Sequence, residues 1–393
     1  MEYPIRVLQY MRVLDSGGIE AFVFANLRAI DRSKVVFDFL VTRDQEEFYD
    51  DEVKKLGGKK IVLKYKEFKN PILNSLSRSI AFYKFCKKNN DQYKVIHFQS
   101  IGSNGFFDIM AAKCAKIPYR IAHSHISNDI KPRHNSKKEA VGLIRKNIVL
   151  FRQNVIRKFV SKYSTHYFGC SKMACEWMFT KKINDEKKCI VVKNPIDVKK
   201  FQFNNDIRTK IRKELNIEDK YVIGHVGRFV YSKNHEFLLE TFVKIKKECE
   251  NAILVLVGGG RLKDEIMTKI KQLNIEESVI LYGETDEVNN MYNCFDLFMF
   301  PSIYEGLGIV LVEAQANGLP VMASSSIPNE VKLTPNFNFC DIKDSENWVN
   351  FYNENKSKLM RKNENYDVVL KSGYDISDVS SFLQETYIRL NQI

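Results

Sequence analysis

The sequence has no uninterrupted apolar run near the roughly 18 residues that a membrane-spanning helix needs. Its first residues, MEYPIRVLQYMRVLDSGGIE, lack the apolar core and the small-residue cleavage site of a secretory signal peptide. We therefore expect a cytoplasmic protein, either free or in peripheral contact with the cytoplasmic face of a membrane.

Patterned cysteines and common catalytic motifs are also missing. The eight cysteines form no CxxC pair and no zinc-like spacing, which predicts free thiols in a reducing cytosol. There is no D-x-D triplet, no Walker loop and no Ser/His/Asp pattern. We therefore expect neither a bound metal ion nor a cofactor.

Length and charge indicate two domains with different partners. The 393 residues exceed one ordinary hydrophobic core, and 44% of them are apolar against 28% charged, as in globular proteins. Residues 1–195 carry 37 Lys and Arg against 19 Asp and Glu, whereas the remaining residues carry 24 against 29. The basic half suits an anionic lipid surface or nucleic acid, and of these we expect a membrane contact and no nucleic acid.

Short β-rich runs alternate with helix-length segments in both halves of the chain. The runs are residues 5–10, 35–42, 59–65, 93–100, 119–125, 165–171, 189–194, 221–228, 252–260, 278–284, 296–302 and 320–325. Apolar strands without strict alternation are typical of parallel sheets that are covered on both faces. The pattern predicts an α/β protein with two doubly wound, Rossmann-like domains and a cleft between them.

The segment NPIDVKKFQFNND interrupts regular structure, and the strand-helix alternation restarts after it. We place the N-terminal domain at 1–195 and the C-terminal domain at 196–374. Residues 375–393 form a predicted amphipathic helix, with one apolar face made of Val379, Phe382, Leu383, Tyr387 and Leu390.

Ligands of doubly wound sheets bind at the carboxyl ends of the strands, so the residues after each strand are site candidates. Gly17 and Gly18 follow the first strand and precede a helix, where backbone N–H groups can approach a phosphate or where the chain simply turns. Arg228 and Lys233 lie at a later strand-helix junction, as a diphosphate clamp or as a solvated basic loop. Gly258, in VGGG, ends the next strand, where the backbone could approach a nucleotide or the chain could simply turn sharply.

The segment PSIYEGLGIVLVEAQANGLP carries two glutamates in apolar surroundings. We expect Glu305 just before a helix and Glu313 one to two turns inside it, with Gly318 as the cap. Buried carboxylates need a partner, and sugar hydroxyls are suitable donors. The alternative is a helix N-terminal charge at Glu305 and a solvated residue at Glu313.

The triplet HSH at 123–125 ends a predicted strand. We expect its two histidines to point to opposite faces and to make a poor metal pair. His125, nearer the strand end, is the better candidate for contact with substrate, and His123 is expected to pack. A purely structural role for either residue stays open.

A basic amphipathic segment spans residues 141–164. Its apolar residues recur at three- and four-residue steps: Val141, Ile144, Ile148, Phe151, Val155 and Phe159. Its basic residues are Arg145, Lys146, Arg152, Arg157, Lys158 and Lys162. The segment fits an anionic membrane surface or a packed helix with a solvated face.

Six segments, taken in order, carry a resemblance to a known family: GGIE, HSH, NPID, GRFVYSKN, VGGG and PSIYEGLGIVLVEAQANGLPV. Together they resemble the retaining glycosyltransferases of family 4, which have the GT-B fold. The resemblance covers nearly the whole chain. Its last segment is the E-x7-E motif, and the six segments in combination are highly specific. The HSH triplet and the basic helix resemble enzymes of capsule or exopolysaccharide assembly.

The resemblance implies roles for individual residues. It places Gly17 and Gly18 at the donor phosphate, Arg228 and Lys233 at the diphosphate, and His125 near the reacting face. It implies that Glu305 contacts the transferred sugar and that Glu313 binds the ribose. The remaining donor-binding residues would be Gly258, Glu284, Gly306, Leu307, Gly308 and Ile309.

The resemblance implies transfer of a sugar from a nucleotide-diphosphate donor, expected to be UDP-linked, to a saccharide or polyprenyl-linked acceptor. Two alternatives stay open from the sequence. One is a nucleotide-sugar epimerase with the same fold, and the other is a non-catalytic protein that binds lipid or nucleic acid.

Overall fold

The computed structural model describes residues 4–15, 17–99, 101, 105–125 and 139–392, with side chains from residue 151 onward in the last range. The chain divides into two compact α/β units. Unit 1 ends at Pro195 and resumes at Ile376, and unit 2 spans Ile196–Asp375. The second division lies one residue later than the sequence analysis places it.

Unit 1 is built on a parallel sheet of seven described strands, in the order β3-β2-β1-β4-β5-β6-β7. The strands are β1 (Ile5–Tyr10), β2 (Val35–Val41), β3 (Lys60–Val62), β4 (Val95–Phe98), β5 (Tyr119–Ser124), β6 (His166–Gly169) and β7 (Cys189–Val191). Every residue of β2 is buried, as the continuous apolar runs of the sequence predict for strands covered on both faces.

Helices cover both faces of this sheet. They are α1 (Gly18–Ala29), α2 (Asp50–Lys55), α3 (Pro71–Lys88), α4 (Phe106–Cys114), α5 (Glu139–Tyr163), α6 (Lys172–Met178) and α7 (Lys181–Asp185). Helix α3 starts sharply because Asn70 accepts hydrogen bonds from the first-turn N–H groups and Pro71 takes the first position. Helix α4 packs between α3 and α5, and core residues of all three contact one face of the sheet.

The predicted apolar face of the basic helix is not buried at Phe151, which is 71% exposed. In the described part of α5 the buried residues are Ile156 and Val160. Arg157 is not a free surface charge either, because its Nε donates to the carbonyl oxygen of Trp177 at 2.6 Å. The side chains of the predicted residues 141, 144, 145, 146 and 148 lie outside the described part of the chain.

The prediction that all eight cysteines are free is wrong for one pair. Cys175 on α6 and Cys189 on β7 form a disulfide, with their Cα atoms 6.2 Å apart. Helix α6 packs on β7, which brings the two sulfur atoms together. The other six cysteines form no disulfide, and no spacing motif distinguishes the bonded pair from them.

Unit 2 has a parallel sheet of six strands in the order β10-β9-β8-β11-β12-β13. The strands are β8 (Tyr221–Val226), β9 (Ala252–Val257), β10 (Val279–Gly283), β11 (Leu297–Phe300), β12 (Val321–Ser324) and β13 (Phe337–Cys340). The helices are α8 (Asn205–Glu214), α9 (His235–Glu248), α10 (Lys263–Gln272), α11 (Val288–Cys294), α12 (Ile309–Ala316), α13 (Ser345–Asn355) and α14 (Asn365–Leu370). The sequence analysis missed β13 because this edge strand has four residues, and only its first and last are buried.

The last helix, α15 (Ile376–Gln392), belongs to unit 1, where it packs against α1 and β1. Val379, Leu383, Tyr387 and Leu390 are buried on its inner face, as predicted from their spacing. Among the residues that the structure describes, no helix combines the length and the apolar character needed to cross a bilayer.

Candidate active site

The carboxyl end of β8 leads into a loop that carries two of the predicted site residues. Arg228 follows the strand, and Lys233 ends a short 3-10 turn, Tyr231–Lys233, before α9. A Cβ atom on Gly227 would come within 3.3 Å of Cε of Lys233. Glycine at position 227 therefore leaves room for the lysine side chain to lie across the end of the strand.

Lys233 and Glu305 form an ion pair at this edge of the sheet. The Nζ atom of Lys233 lies 2.6 Å from Oε1 of Glu305, and their side chains are only 14% and 15% exposed. The hydroxyl of Ser302 lies 2.5 Å from the same carboxylate oxygen. The ammonium group also lies over the ring of Phe300, 4.6 Å from its centre. These contacts hold a hydrogen-bond donor and an acceptor side by side, an arrangement suited to a hydroxylated ligand.

Arg228 differs from Lys233 in that its side chain is exposed and makes no ion pair with any residue in the described ranges. Its guanidinium group is therefore available to an anion, and its planar fork matches phosphate oxygens.

The turn before α12 follows Glu305 directly. Gly308 caps the helix with φ at +83°, in the left-handed region that favours glycine. Leu307 is buried and anchors the turn, and a Cβ atom on Gly306 would meet nothing within 4 Å. The first N–H groups of α12, starting at Ile309, lie at the positive end of the helix dipole and favour an anionic ligand.

Glu313 lies one turn inside α12, and its Oε2 accepts a hydrogen bond of 2.6 Å from the hydroxyl of Tyr292. Burial raises the pKa of Glu313 to about 7, and the Tyr292 hydrogen bond opposes the shift only in part. Additional hydroxyl donors would favour the ionised form. Sequence reasoning missed Tyr292 because it lies on α11, 21 residues earlier, with no local spacing to link the two.

Gly258 and Glu284 lie at the ends of the neighbouring strands β9 and β10. Gly258 has φ at +135°, and a Cβ atom there would collide with the carbonyl oxygen of Gly227. The carboxyl group of Glu284 lies against Gly259, 2.8 Å from where a Cβ atom would stand. The glycines therefore let the ends of β8, β9 and β10 lie close together, and the side chain of Glu284 lies beside them.

The remaining predicted residues belong to unit 1. Gly17 is the N-cap of α1 and Gly18 is its first residue. A Cβ atom on Gly18 would meet nothing within 4 Å, whereas the Glu20 carboxylate lies against Gly17 at the same helix end. The same geometry also suits a plain turn, so both alternatives from the sequence persist.

The expectation that His123 and His125 point to opposite faces is wrong, because their ring centres lie 4.0 Å apart. One residue separates them, and alternation along a strand puts such residues on the same face. His97 on β4 joins them, with its Nε2 3.2 Å from Nδ1 of His123 and its Nδ1 2.7 Å from the Tyr387 hydroxyl.

Burial keeps this histidine cluster neutral. It lowers the pKa values of His97 and His123, and it lowers the pKa of His125 to about 3. His125 is the half-buried member of the three, whereas His97 and His123 are fully buried. The cluster therefore presents a neutral imidazole at the strand end.

Two glutamines orient His125. The side-chain N–H group of Gln99 donates to Oε1 of Gln9 at 2.9 Å, which turns the Gln99 oxygen toward Nε2 of His125 at 2.7 Å. Nε2 of His125 therefore carries the proton, and its Nδ1 is an acceptor. Sequence reasoning missed both glutamines. A usable signal was present, because Gln9 lies near the end of the buried strand β1 and Gln99 directly follows the buried strand β4.

Comparisons with known proteins show which family the chain is similar to. Residues 207–354 match the family described as glycosyl transferases group 1. The chain is 32% identical over 329 residues to the putative glycosyltransferase EpsF of Bacillus subtilis, which covers 83% of this chain and 80% of EpsF. It is 28% identical to the N,N'-diacetylbacillosaminyl-diphospho-undecaprenol alpha-1,3-N-acetylgalactosaminyltransferase of Campylobacter jejuni, over 75% of this chain and 74% of that one.

Among solved structures, the fold is similar to that of Anabaena HepE in complex with UDP. The TM-score is 0.74 at 17% identity, and the match covers 100% of both chains. At this identity the likeness concerns the fold, which is the two-domain GT-B architecture. With the match to EpsF over most of both chains, it follows that the chain belongs to the group 1 glycosyltransferases.

Proposed function

We propose that the protein is a retaining, metal-independent glycosyltransferase. It transfers a sugar from a nucleotide-diphosphate donor, UDP-linked by preference, to a saccharide or polyprenyl-linked oligosaccharide in surface polysaccharide assembly. The observation that carries the proposal is the Lys233–Glu305 ion pair, with Arg228 on the same strand-helix loop as Lys233, at the carboxyl edge of the unit 2 sheet.

The donor's charged and hydroxylated parts have separate partners in this proposal. Arg228 and Lys233 bind the diphosphate, and Glu305 accepts hydrogen bonds from hydroxyls of the transferred sugar. When phosphate oxygens approach Lys233, its ammonium group has donors for them as well as for Glu305. HepE, with the same fold, was solved with UDP, which supports UDP as the nucleotide.

The backbone contacts belong to the glycine turns. The N–H groups from Gly306 to Ile309 face the sugar and the phosphate, and Gly258 allows the nucleotide to approach the sheet edge. Glu313 binds the ribose, whose hydroxyls supply the donors that its raised pKa calls for. Glu284 is assigned to the donor side with them.

The chemistry proposed is front-face substitution. The acceptor oxygen bonds to the anomeric carbon on the side from which the nucleotide diphosphate leaves, and the acceptor proton passes to a diphosphate oxygen. No protein nucleophile is required. Arg228 and Lys233 stabilise the charge that develops on the leaving diphosphate, and binding supplies the orientation.

Unit 1 takes the acceptor in this proposal, with His125 near the reacting face and Gly17 and Gly18 near the donor phosphate. The neutral Nδ1 of His125 can accept a hydrogen bond from a sugar hydroxyl. The Campylobacter relative is named for a diphospho-undecaprenol substrate, which supports a lipid-linked acceptor here.

A lipid-linked acceptor places the enzyme at the cytoplasmic face of a membrane, and residues 141–164 are proposed to contribute to that contact. Arg152, Lys158 and Lys162 supply basic groups on the described part of α5, and Phe151 supplies an exposed apolar one. Arg157 is excluded from this role by its bond to Trp177.

The testing experiment is a donor screen that measures released nucleotide diphosphate with and without a polyprenyl-diphosphate saccharide. We expect UDP release that depends on the acceptor, and a product with the donor's anomeric configuration. Conversion of the donor to an isomeric nucleotide sugar without acceptor would instead make the protein an epimerase. Lipid or nucleic-acid binding with no donor consumed would make it a non-catalytic binder.

A further inference from the structure

Helix α3 exposes a stripe of large apolar side chains. Ile72, Leu73, Leu76 and Ile80 are 60%, 50%, 38% and 58% exposed. Their spacing along the helix places them on one side, separate from the buried side that carries Phe82 and Cys86. We call these four residues the α3 stripe. Contiguous exposed apolar side chains mark a surface that contacts a partner.

The stripe lies between two groups of lysines. Lys64, Lys66 and Lys69 precede the helix, and Lys84, Lys87 and Lys88 lie in its last turns. Glu67 is the one acidic residue between positions 64 and 88. Arg78, in the middle of the helix, binds the buried Asp108 at 2.8 Å, so it does not place a free charge among the apolar side chains.

Further apolar and basic groups lie at the two ends of the stripe. Phe68, just before the helix, is 39% exposed and lies under the ammonium group of Lys66. At the other end, an open groove of about 470 Å³ is lined by Lys59, Lys84 and Lys88 together with Phe85 and Tyr93. An apolar centre with basic ends over a helix of 18 residues, about 27 Å long, is the pattern of an element that lies flat in a lipid interface.

Charge selects among the possible partners. A second copy of the chain facing this surface symmetrically would bring like-charged lysine groups together, which is unfavourable. A neutral protein groove would leave the lysines unpaired. An anionic bilayer takes the apolar side chains at the acyl boundary and the ammonium groups at its phosphates.

We propose that helix α3 docks unit 1 on an anionic lipid surface, with the α3 stripe inserted and the flanking lysines at the headgroup phosphates. The inference deepens the proposed function, in which the acceptor is membrane-held, by naming an element outside residues 141–164. Helices α3 and α5 flank α4 on the same face of the sheet, so the two contacts are compatible.

The test is co-sedimentation of the purified protein with vesicles of phosphatidylcholine alone or with one quarter phosphatidylglycerol. The variant Ile72→Ser/Leu76→Ser/Ile80→Ser should bind the anionic vesicles at least about tenfold more weakly than wild type. The matched control, Met267→Ser/Met360→Ser/Val368→Ser, changes exposed apolar residues of unit 2 and should bind like wild type.

A second variant tests the lysines. Lys84→Gln/Lys87→Gln/Lys88→Gln should weaken binding about tenfold or more on anionic vesicles and leave it unchanged on phosphatidylcholine. The control Lys213→Gln/Lys247→Gln/Lys271→Gln removes the same charge from exposed positions of unit 2 and should bind as wild type does.

Three results would overturn the proposal: no preference of wild type for anionic vesicles, unchanged binding by the serine variant, or a wild-type dimer that this variant converts to a monomer. Vesicle binding is measured without donor or turnover, so it stays decisive even if no transferase activity is found. Thermal unfolding is measured for each variant. A variant that unfolds at the same temperature as wild type has kept its fold, so its loss of binding does not come from misfolding.

Discussion

The carboxyl ends of the two sheets carry different chemistry. In unit 2 the side chains there are charged: Arg228, Lys233, Glu284 and Glu305, with Glu313 on the following helix. Among the described residues of unit 1, the ends of β1, β4 and β5 carry a cluster of neutral groups, the amides of Gln9 and Gln99 and the imidazoles of His97, His123 and His125. The first six strands of unit 1 follow the same order as the six strands of unit 2, so the difference lies in the side chains.

This contrast indicates ligands of different kinds. Cations beside carboxylates suit a ligand that joins phosphates to hydroxyls, as a nucleotide sugar does. Buried neutral amides and imidazoles suit hydroxyl groups, whose hydrogen bonds they satisfy without adding charge. Unit 1 also carries positive charge on its surface, as at the lysines flanking the α3 stripe.

The largest expected effect comes from the charged end of unit 2. Glu305→Ala and Lys233→Ala should each lower the transfer rate by about 100- to 1,000-fold, because each removes one half of a preorganised pair at the reacting group. Initial rates of UDP release measure this, with thermal unfolding as a check on the fold. Lys269→Ala, which removes an ion-paired lysine on the surface of the same unit, should keep the wild-type rate. Near-normal turnover by the Glu305 variant would show that the charged end of unit 2 is not the site of transfer.

Glu313→Gln should weaken donor binding about tenfold and stabilise the fold at high pH. The pKa of Glu313 in the folded protein is about 7, above its ordinary value of 4.5, so the stability linked to its proton is fully present below pH 4.5 and is lost as pH rises through 7. Glutamine does not titrate, so above pH 7 the variant should be more stable by about 1–3 kcal/mol. At pH 4 the two proteins should unfold alike.

Denaturant unfolding at both pH values and calorimetric titration with UDP test this prediction. A variant that is no more stable than wild type at pH 8 would show that Glu313 is not held at a cost in the free protein.

At the neutral end of unit 1, Gln99→Glu should lower the transfer rate about tenfold near pH 7 and make it recover toward high pH. A carboxylate beside Nε2 of His125 favours the imidazolium form, which has no acceptor at Nδ1. Gln99→Leu removes the hydrogen bond without adding charge, so its rate should fall with no such pH dependence. Equal pH profiles for the two variants would mean that Gln99 has only a packing role.

The smallest expected effect on activity comes from the disulfide, which lies in unit 1 alone. Cys175→Ser/Cys189→Ser, or reduction of the wild type, should lower the stability of unit 1 by about 2–4 kcal/mol, because the bond closes a loop in the unfolded chain. Unit 2 and the transfer rate at low temperature should be unaffected. Cys86→Ser/Cys170→Ser changes two buried cysteines outside the disulfide and controls for the loss of cysteine side chains. Destabilisation of unit 2 by reduction would contradict the separation of the two units.

Local sequence patterns predict most of the fold. The apolar runs located twelve strands, and the spacing of Val379 and Tyr387 gave the inner face of α15. The edge strand β13 was not predicted, because four residues are too few to show a clear strand pattern. The two histidines of HSH share one face, because residues two apart on a strand point to the same side.

The candidate site was predictable as residue types but not as contacts. The sequence singles out Lys233 and Glu305 separately, and their 72-residue separation gives no sign that they form an ion pair. Tyr292 beneath Glu313 and Tyr387 beside His97 come from other helices, so only folding brings them to the site. The Cys175–Cys189 bond likewise depends on how α6 packs on β7.

The central claim is that the charged end of unit 2 binds a nucleotide-sugar donor whose sugar is transferred to an acceptor. The most direct measurement is UDP release from a UDP-sugar by wild type and by Glu305→Ala, each with and without a polyprenyl-diphosphate saccharide. The account predicts release by wild type that requires the acceptor, and almost none by the variant. Equal release by both proteins, or donor conversion that ignores the acceptor, would contradict it.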